Sequence, residues 1–260
     1  MKNKMPPSLP TDNKNYESNR TKPKAPFASM VYRVTRALVS IFGRERILRI
    51  LLDSAWLIRR LAYEQSCEFW GNEFINRCYG FTPERLKIWI PQDSTVIDLG
   101  CGDGRVSRVA VEAGAKSVIG IDYSETRIES AKKNNFEIKN IKFIVGDLTK
   151  SLTEQFSNHR ADVALLIHVL EHIDDSISFL EDIAGIASRL IVEVPDLEGD
   201  HLNIARRALK TKLYSDDDHV REYTASGLSV ELNAAGWRIV HLEQRSGTLI
   251  FAVADRIESK

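Results

Sequence analysis

Two acids and three glycines at fixed spacing are the residues of this chain best suited to holding a ligand. Asp98 ends an apolar run, and Gly100, Gly102 and Gly104 follow it at every second position. Glycine has no Cβ and tolerates positive φ, so such a turn lets a ligand lie against bare backbone at the start of a helix. Asp122 ends the next apolar run, 24 residues after Asp98. That spacing lets an acid reach the ribose hydroxyls of a bound nucleoside.

These residues need strands that stop at one edge of a sheet. Apolar runs predict four strands, whose carboxyl ends carry polar or glycine residues, at 95–98, 117–122, 141–148 and 161–168. An open α/β sheet keeps its ligand at that edge. Further along the chain, the pattern predicts a helix over 173–186, a strand over 189–194, and a closing hairpin of strands 237–244 and 248–254 that turns at Ser246-Gly247.

Four motifs in order carry a family resemblance. DLGCGDG, GIDYS, GDL and HVLEHIDD, within residues 70–255, resemble the class I S-adenosylmethionine-dependent methyltransferases, in their ubiquinone-type or small-molecule branch. The resemblance implies a Rossmann-like α/β fold, with a seven-stranded, mostly parallel sheet, helices on both faces and an antiparallel last strand. Nicotinamide dehydrogenases typically have GxGxxG without an acid two residues before the first glycine, so the spacing of Asp98 and Gly100 disfavours them.

The resemblance also implies which residues hold S-adenosylmethionine. Asp98 and the backbone of the glycine turn would hold its methionine part, and Asp122 would take both ribose hydroxyls. Asp147 would accept from the adenine amino group beside the backbone N–H of Leu148, and His168 would lie by the sulfonium. The complete predicted set is Asp98, Gly100, Cys101, Gly102, Asp122, Tyr123, Asp147, Leu148 and His168.

The residues after the fourth strand are the candidates for catalysis. Methyl transfer to a hydroxyl is helped by a base that titrates near neutral pH, which favours His168 or His172, with Glu171 beside them and His219 as a further candidate. Some relatives carry ExxEH here and bind a divalent metal, but this chain has His168 in place of the first glutamate. That change disfavours Mg²⁺, so we expect no metal, while a transition metal and a purely structural role stay open.

The amino-terminal quarter differs in composition from the rest. Residues 1–60 carry 13 Lys or Arg and 4 Asp or Glu in a chain of zero net charge. We expect a disordered tail over 1–26, a basic helical extension over 27–69 with two helices separated by Gly43, and the methyltransferase domain over 70–255. The extension is either packed over the sheet or a basic amphipathic element that lies on an anionic membrane or against an acidic partner. The membrane alternative predicts peripheral contact through residues 28–61.

Two segments are expected to shape the substrate pocket. Residues 64–90 read as a lead-in helix, from which Trp70 or Tyr79 either closes over the cofactor or packs in the core. Residues 196–222 read as a lid insertion. Its basic residues favour a substrate with an acidic group, although a solvated helix face is the alternative; they are Arg206, Arg207, Lys210 and Lys212.

The sequence therefore predicts a methyltransferase acting on a small or lipid-linked molecule, most simply at oxygen. Methylation at nitrogen or carbon, and a cofactor-binding partner protein that has lost catalysis, are the alternatives. No basic–aromatic interleaving points to nucleic acid. An odd number of cysteines without metal-type spacing and no membrane-length apolar run favour a cytoplasmic setting, with or without the peripheral contact. The oligomeric state is not encoded in any recognisable pattern.

Overall fold

The computed structural model describes residues 26–71, 73–75, 81–156, 160–211, 213, 218–245 and 249–257. The chain divides into two compact units. One unit, called here the sheet unit, comprises Phe81–Asn203 and Ser215–Lys260. The other, called the helical unit, comprises Met1–Gly80 and Ile204–Tyr214. The predicted turn at Ser246-Gly247 lies outside the described residues.

The sheet unit is built on seven strands, as the resemblance implies. The strands are β1 Thr95–Leu99, β2 Ser117–Asp122, β3 Ile141–Val145, β4 Ala161–Ile167, β5 Ala187–Pro195, β6 Trp237–Arg245 and β7 Leu249–Arg256. Their order in the sheet is β3-β2-β1-β4-β5-β7-β6, with β7 antiparallel to both neighbours and the first five strands parallel. The predicted fold is confirmed. The strand order reverses between β1 and β4, which is where such sheets bind ligands.

Nine helices with named bounds accompany the sheet within the described residues. They are α1 Pro26–Phe42, α2 Arg44–Trp70, α3 Phe81–Trp89, α4 Arg105–Glu112, α5 Glu125–Asn134, α6 Leu152–Gln155, α7 Ser176–Ile186, α8 Leu202–Ala208 and α9 Ala225–Ala234. The side chain of Asp175 accepts the backbone N–H of Ser178 and so caps α7, two positions from the expected start. Apolar side chains of β1, β4 and β5 fill the core, which also contains the buried indole of Trp237.

The helical unit contains α1, α2 and the end of α8. Gly43 separates α1 from α2, as predicted, with a φ of 84°. The expected single lead-in helix over 64–90 is wrong, because α2 runs to Trp70 and ends at Gly71, where φ is 60°. A separate α3 leads into β1. No helix among the described residues is long and apolar enough to cross a bilayer.

The basic lid helix also differs from expectation. Arg206 is buried, and its guanidinium donates to the backbone carbonyl oxygen of Leu52 in α2 at 3.2 Å. Arg49 of α2 donates in turn to the carbonyl oxygen of Leu209 at 3.0 Å. The sequence predicted a basic side chain open to substrate or solvent at Arg206. The structure instead uses this guanidinium to satisfy a helix carbonyl.

Candidate active site

The glycine turn after β1 has the predicted backbone. Gly100, Gly102 and Gly104 have φ values of 74°, 55° and 80°. A Cβ on Gly100 would lie 2.6 Å from Cγ2 of Val169, so only glycine fits beneath the end of β4. A Cβ on Gly102 would meet nothing within 4 Å. The backbone at Gly102 therefore faces open space, into which a ligand can come close.

Asp98 is a buried acid beneath this turn. Its Oδ2 accepts a hydrogen bond of 2.5 Å from the hydroxyl of Ser107, in the first turn of α4. Burial raises the pKa of Asp98 to about 7, although the hydrogen bonds from Ser107 act in the opposite direction. A carboxyl group with this pKa is only partly ionised at neutral pH. A cation placed beside it would favour the ionised form.

Asp122 joins the end of β2 to the glycine turn. Its Oδ2 accepts the N–H of Gly102 at 3.0 Å, and its Oδ1 accepts the N–H of Ser124 at 2.9 Å. The residue is buried, whereas its neighbour Tyr123 is exposed. Each oxygen of the carboxylate can accept more than one hydrogen bond, so the two backbone bonds orient Asp122 while leaving capacity for ligand hydroxyls.

The remaining predicted cofactor residues lie at the same edge of the sheet. Asp147 follows β3, and Oδ1 accepts the N–H and the hydroxyl of Thr149, which lowers the pKa of Asp147. Leu148 is partly buried against the core. Cys101 is buried, and burial raises the pKa of its thiol, so it packs as a neutral side chain.

His168 stands at the tip of β4 between two buried carboxylates. Its φ is 57°, its Nδ1 lies 3.4 Å from Oε1 of Glu171, and its Nε2 lies 3.4 Å from Oε1 of Glu193. Burial by itself would lower the pKa of His168, but the two carboxylates outweigh it and raise the pKa to about 9. The imidazole is therefore charged at neutral pH. A charged imidazole cannot accept a proton, so this pKa favours His172 or His219 over His168 as the base.

Glu193 is the site residue that the sequence reasoning missed. It is fully buried near the end of β5, and the hydroxyl of Thr82 donates to both of its oxygens, at 2.7 and 2.9 Å. The signal was present in the sequence, since Glu193 is the one charged residue in the run Leu190–Pro195. A charge inside such a run is costly unless it is paired.

The other cluster members are brought together by the backbone. Glu171 and His172 lie in a short 3-10 helix over Leu170–His172, directly after β4. The carbonyl oxygen of Glu171 accepts the N–H of Val220 at 3.0 Å, which brings His219 to the end of β4. The rings of His172 and His219 then meet edge to face, with 4.8 Å between their centroids. Oε2 of Glu171 has no hydrogen-bond donor within the described part of the chain.

Both histidines of this pair are oriented through Nδ1. Nδ1 of His172 lies 3.3 Å from the carbonyl oxygen of Asp218, and Nδ1 of His219 lies 3.2 Å from Oε1 of Glu222. These contacts leave Nε2 of each ring for other chemistry. Ligand atoms of Glu171, His172 and His219 all lie within 4.8 Å of one another, so the cluster could accept a metal ion as well as a proton.

Two aromatic residues, Trp70 and Tyr79, were predicted either to close over the cofactor or to pack in the core. Trp70 lies in the helical unit and packs with its own neighbours, against Phe74 in a stacked arrangement at 5.8 Å and against Phe69 edge to face at 4.9 Å. Tyr79 lies outside the described residues. These contacts make Trp70 part of an aromatic cluster within the helical unit.

With this geometry in place, comparison with known proteins identifies the family. Residues 73–242 match the family described as "Methyltransferase domain". The chain belongs to this methyltransferase family. The match and the strand order confirm the resemblance to class I S-adenosylmethionine-dependent methyltransferases, although the branch is not specified. S-adenosylmethionine is accordingly the cofactor of this methyltransferase, and the open backbone at Gly102 and the buried Asp98 fit a cationic nucleoside derivative.

Relatives of this methyltransferase are distant. It is 31% identical over 133 residues to a ribosomal protein L11 methyltransferase of Thermosipho melanesiensis, a match that covers 48% of each chain. The chain thus spans about half the length of this curated relative.

Solved structures share the fold. Magnesium protoporphyrin IX methyltransferase of Synechocystis matches with a TM-score of 0.53 and 22% identity, over 68% of this chain and 83% of that one. An S-adenosylmethionine-dependent methyltransferase of Mesorhizobium loti matches with a TM-score of 0.52 and 17% identity, over 66% and 96%.

Proposed function

We propose that this methyltransferase methylates a hydroxyl oxygen of a small or lipid-linked molecule, with the His172–His219 pair as the proton acceptor. The observation that carries the proposal is the position of this pair. His172 follows β4, and the hydrogen bond from Val220 to Glu171 brings His219 to the same end of the strand. Val169 at that end lies directly over Gly100 of the glycine turn. Histidine at such a position can take the proton of an acceptor hydroxyl.

The cofactor residues keep the roles that the resemblance implied. The open backbone face of the turn at Gly100, Cys101 and Gly102 would hold the methionine part, with Asp98 supplying negative charge. Asp122 would bind both ribose hydroxyls beside the exposed Tyr123. Asp147 and Leu148 would bind the adenine edge. The two backbone hydrogen bonds to Asp122 support its role, because they hold the carboxylate still before ligand arrives.

The charges around His168 support binding of a sulfonium cation. One imidazolium between the carboxylates of Glu171 and Glu193 leaves one net negative charge at the end of β4. Bound S-adenosylmethionine supplies an activated methyl group, so the chain itself has to position the acceptor and exclude water. His168 then fixes both carboxylates and takes no part in proton transfer. Negative charge in a buried site opposes the departure of the cation and favours its binding.

The tautomers of the histidine pair support proton acceptance. If Nδ1–H of His172 donates to the carbonyl oxygen of Asp218, Nε2 carries the lone pair that accepts the substrate proton. Glu222 orients His219 in the same way and can stabilise positive charge on the pair after transfer. Asp218 and Glu222 are thus positioning residues for the two rings.

Binding of a divalent transition metal is a second candidate role for the cluster of Glu171, His172 and His219. The favouring observation is that each histidine is bonded through Nδ1 while Nε2 is left over, as is usual for metal-ligating histidines. Glu171 would add a carboxylate oxygen. In this case the metal would lower the pKa of the acceptor hydroxyl, and His172 would hold the ion instead of the proton.

The acceptor is tested with cofactor labelled in its methyl group. Purified full-length chain is incubated with a cell extract, which is then separated into organic-soluble, small polar and protein fractions. Label in a small or lipid fraction, released by the chemistry expected of a methyl ether or ester, supports the proposal. Label in protein favours a protein acceptor, the kind of substrate that the relative's name gives. Cofactor binding without any labelled product favours the non-catalytic partner.

A further inference from the structure

The first helix of the chain has one polar stripe and a wide apolar face. In α1 the polar residues Ser29, Arg33, Arg36 and Ser40 recur every three or four positions. Residues at this spacing lie on one side of a helix. Apart from Thr35, the other positions are apolar or alanine, and the helix contains no acid.

This apolar face is exposed. None of residues 29–42, the part of α1 whose burial the structure describes, is buried. Ile41 and Tyr32 are 69% and 65% exposed. The large apolar side chains of α1 that remain exposed are Met30, Val31, Tyr32, Val34, Leu38, Ile41 and Phe42. A contiguous apolar surface of this kind marks an interaction site in a water-soluble protein.

The second helix also exposes apolar side chains. Leu51, Ile58 and Leu61 of α2 share a helix face and are exposed, whereas Leu52 on another face is buried and its carbonyl oxygen accepts Arg206. The side of α2 that the lid helix covers is therefore separate from the side that stays uncovered. The long helix has one packed face and one apolar face open to a partner.

The charge of the segment selects the partner. Residues 26–61 contain seven arginines and only two acids, Glu45 and Asp53. Arg33, Arg36, Arg44 and Arg46 are exposed, and Arg46 lies over the ring of Phe42 with 5.7 Å between its guanidinium carbon and the ring centroid. Arginine beside apolar side chains can lay its stem along an apolar phase while its head meets anionic groups. A nucleic acid would leave the apolar face uncovered, whereas a bilayer surface of anionic lipids matches both features.

We propose that α1 and the part of α2 up to Leu61 bind the surface of an anionic lipid bilayer, lying in the interface with the apolar side chains inserted. Since no described helix is long and apolar enough to span a bilayer, the contact is peripheral. The proposal does not depend on the proposed reaction. It would, however, bring a lipid-linked acceptor to the chain that methylates it.

The test is sedimentation of the full chain with vesicles, without cofactor. Neutral phosphatidylcholine vesicles are compared with vesicles that also contain phosphatidylglycerol, at low and high salt. We expect binding to the anionic vesicles that weakens as salt rises, because salt screens exposed charges. Failure to bind anionic vesicles, or equal binding to neutral ones, overturns the proposal.

Two pairs of variants locate the contact. Ile41→Asp should lower the partition coefficient at least about tenfold, whereas Val230→Asp, at an equally exposed apolar position on α9, should not change it. Arg33→Glu with Arg36→Glu should also lower it at least about tenfold, unlike Lys132→Glu with Lys133→Glu on α5. Circular dichroism and binding of S-adenosylhomocysteine confirm that each variant is folded.

Measurement of the oligomeric state distinguishes a second copy of the chain from a lipid bilayer as the partner of this apolar face. If the wild-type chain is a dimer by sedimentation equilibrium and Ile41→Asp is a monomer, while neither binds vesicles, the face joins two copies of the chain and the proposal is wrong. Loss of methyl transfer alone leaves vesicle binding untouched, so failure of the proposed reaction is distinguished from failure of this inference.

Discussion

Nε2 of His168 lies 3.4 Å from Oε1 of Glu193, and this contact joins the carboxyl end of β4 to that of β5. Glu193 is fully buried, and the hydroxyl of Thr82 holds both of its oxygens. The pair makes His168 a fixed cation and Glu193 a fixed anion beside the glycine turn. It also raises the pKa of the histidine expected beside the sulfonium, which disfavours that histidine as the base.

Replacing Glu193 with Gln should lower the pKa of His168 from about 9 and destabilise the fold by about 1 to 3 kcal/mol, because a charge-assisted hydrogen bond is lost. NMR titration of the His168 ring and denaturant unfolding measure both effects. Because the folded-state pKa is above the ordinary value of 6.5, the wild-type contribution is full below pH 6.5 and is lost as pH rises toward 9. Glu198→Gln, at an exposed glutamate five residues after Glu193, is the control. An unchanged titration of His168 in Glu193→Gln would disprove the coupling between His168 and Glu193.

Replacing Asp122 with Ala should weaken binding of S-adenosylhomocysteine by about 1 to 3 kcal/mol, because the carboxylate that would accept the ribose hydroxyls is lost. Calorimetry gives the dissociation constant. Glu129→Ala, which removes an exposed carboxylate from α5, should leave it unchanged. An unaltered constant in Asp122→Ala would remove this residue from the ribose site.

Cofactor binding should depend on pH through Asp98. Its pKa is raised to about 7, so the protein must release a proton below that pH before the carboxylate can face a cation. The affinity for S-adenosylmethionine should therefore rise with pH up to about 7, with a slope that approaches about tenfold per pH unit at lower pH. Asp98→Asn should bind more weakly at pH 7 and show a flatter profile. A wild-type profile as flat as that of the variant would contradict this role.

Replacing His172 or His219 with Ala should reduce turnover about 10²- to 10⁴-fold while leaving the affinity for S-adenosylhomocysteine nearly unchanged. As a base or as a metal ligand, each histidine would assist removal of the acceptor's proton and would not bind the cofactor. Turnover is followed by methyl release from labelled cofactor. His241→Ala, a histidine on β6, is the matched control. Full activity in both single variants would return the pair to a structural role.

Treatment with a chelator separates the two chemical roles of this pair. If the histidines act as bases, dialysis against EDTA leaves turnover unchanged. If Glu171, His172 and His219 hold a metal, dialysis abolishes turnover, a transition metal restores it, and metal analysis shows one ion per active chain.

The parallel strands and the glycine turn could be predicted because short runs of consecutive residues determine each of them. An apolar run that ends in Asp98 or Asp122, followed by glycines or a helix, fixes a strand and its carboxyl end without further information. β5 extends at both ends beyond its predicted bounds, from Ala187 to Pro195, since pairing with β4 and β7 orders residues of weak strand preference.

Other features depend on partners far along the chain and could not be predicted. The burial of Arg206 requires the carbonyl of Leu52, which is 154 residues away. The pKa of His168 is raised by Glu171, three residues away, and also by Glu193, whose pairing follows from sheet order and not from sequence distance. The continuity of α2 through Trp70, by contrast, depends on neighbouring residues, because no helix breaker comes before Gly71. The prediction of a separate lead-in helix from Glu64 missed this continuity.

The attachment of residues 218–222 to the end of β4 has a consequence for how this enzyme can diverge. Two backbone N–H groups, those of Val220 and Arg221, anchor the segment on the carbonyl of Glu171, so its attachment does not depend on which side chains it carries. Side chains of this segment can therefore be exchanged while its backbone, and with it His219, keeps its place. The surface beside the histidine pair is in this respect free to vary without loss of the pair itself.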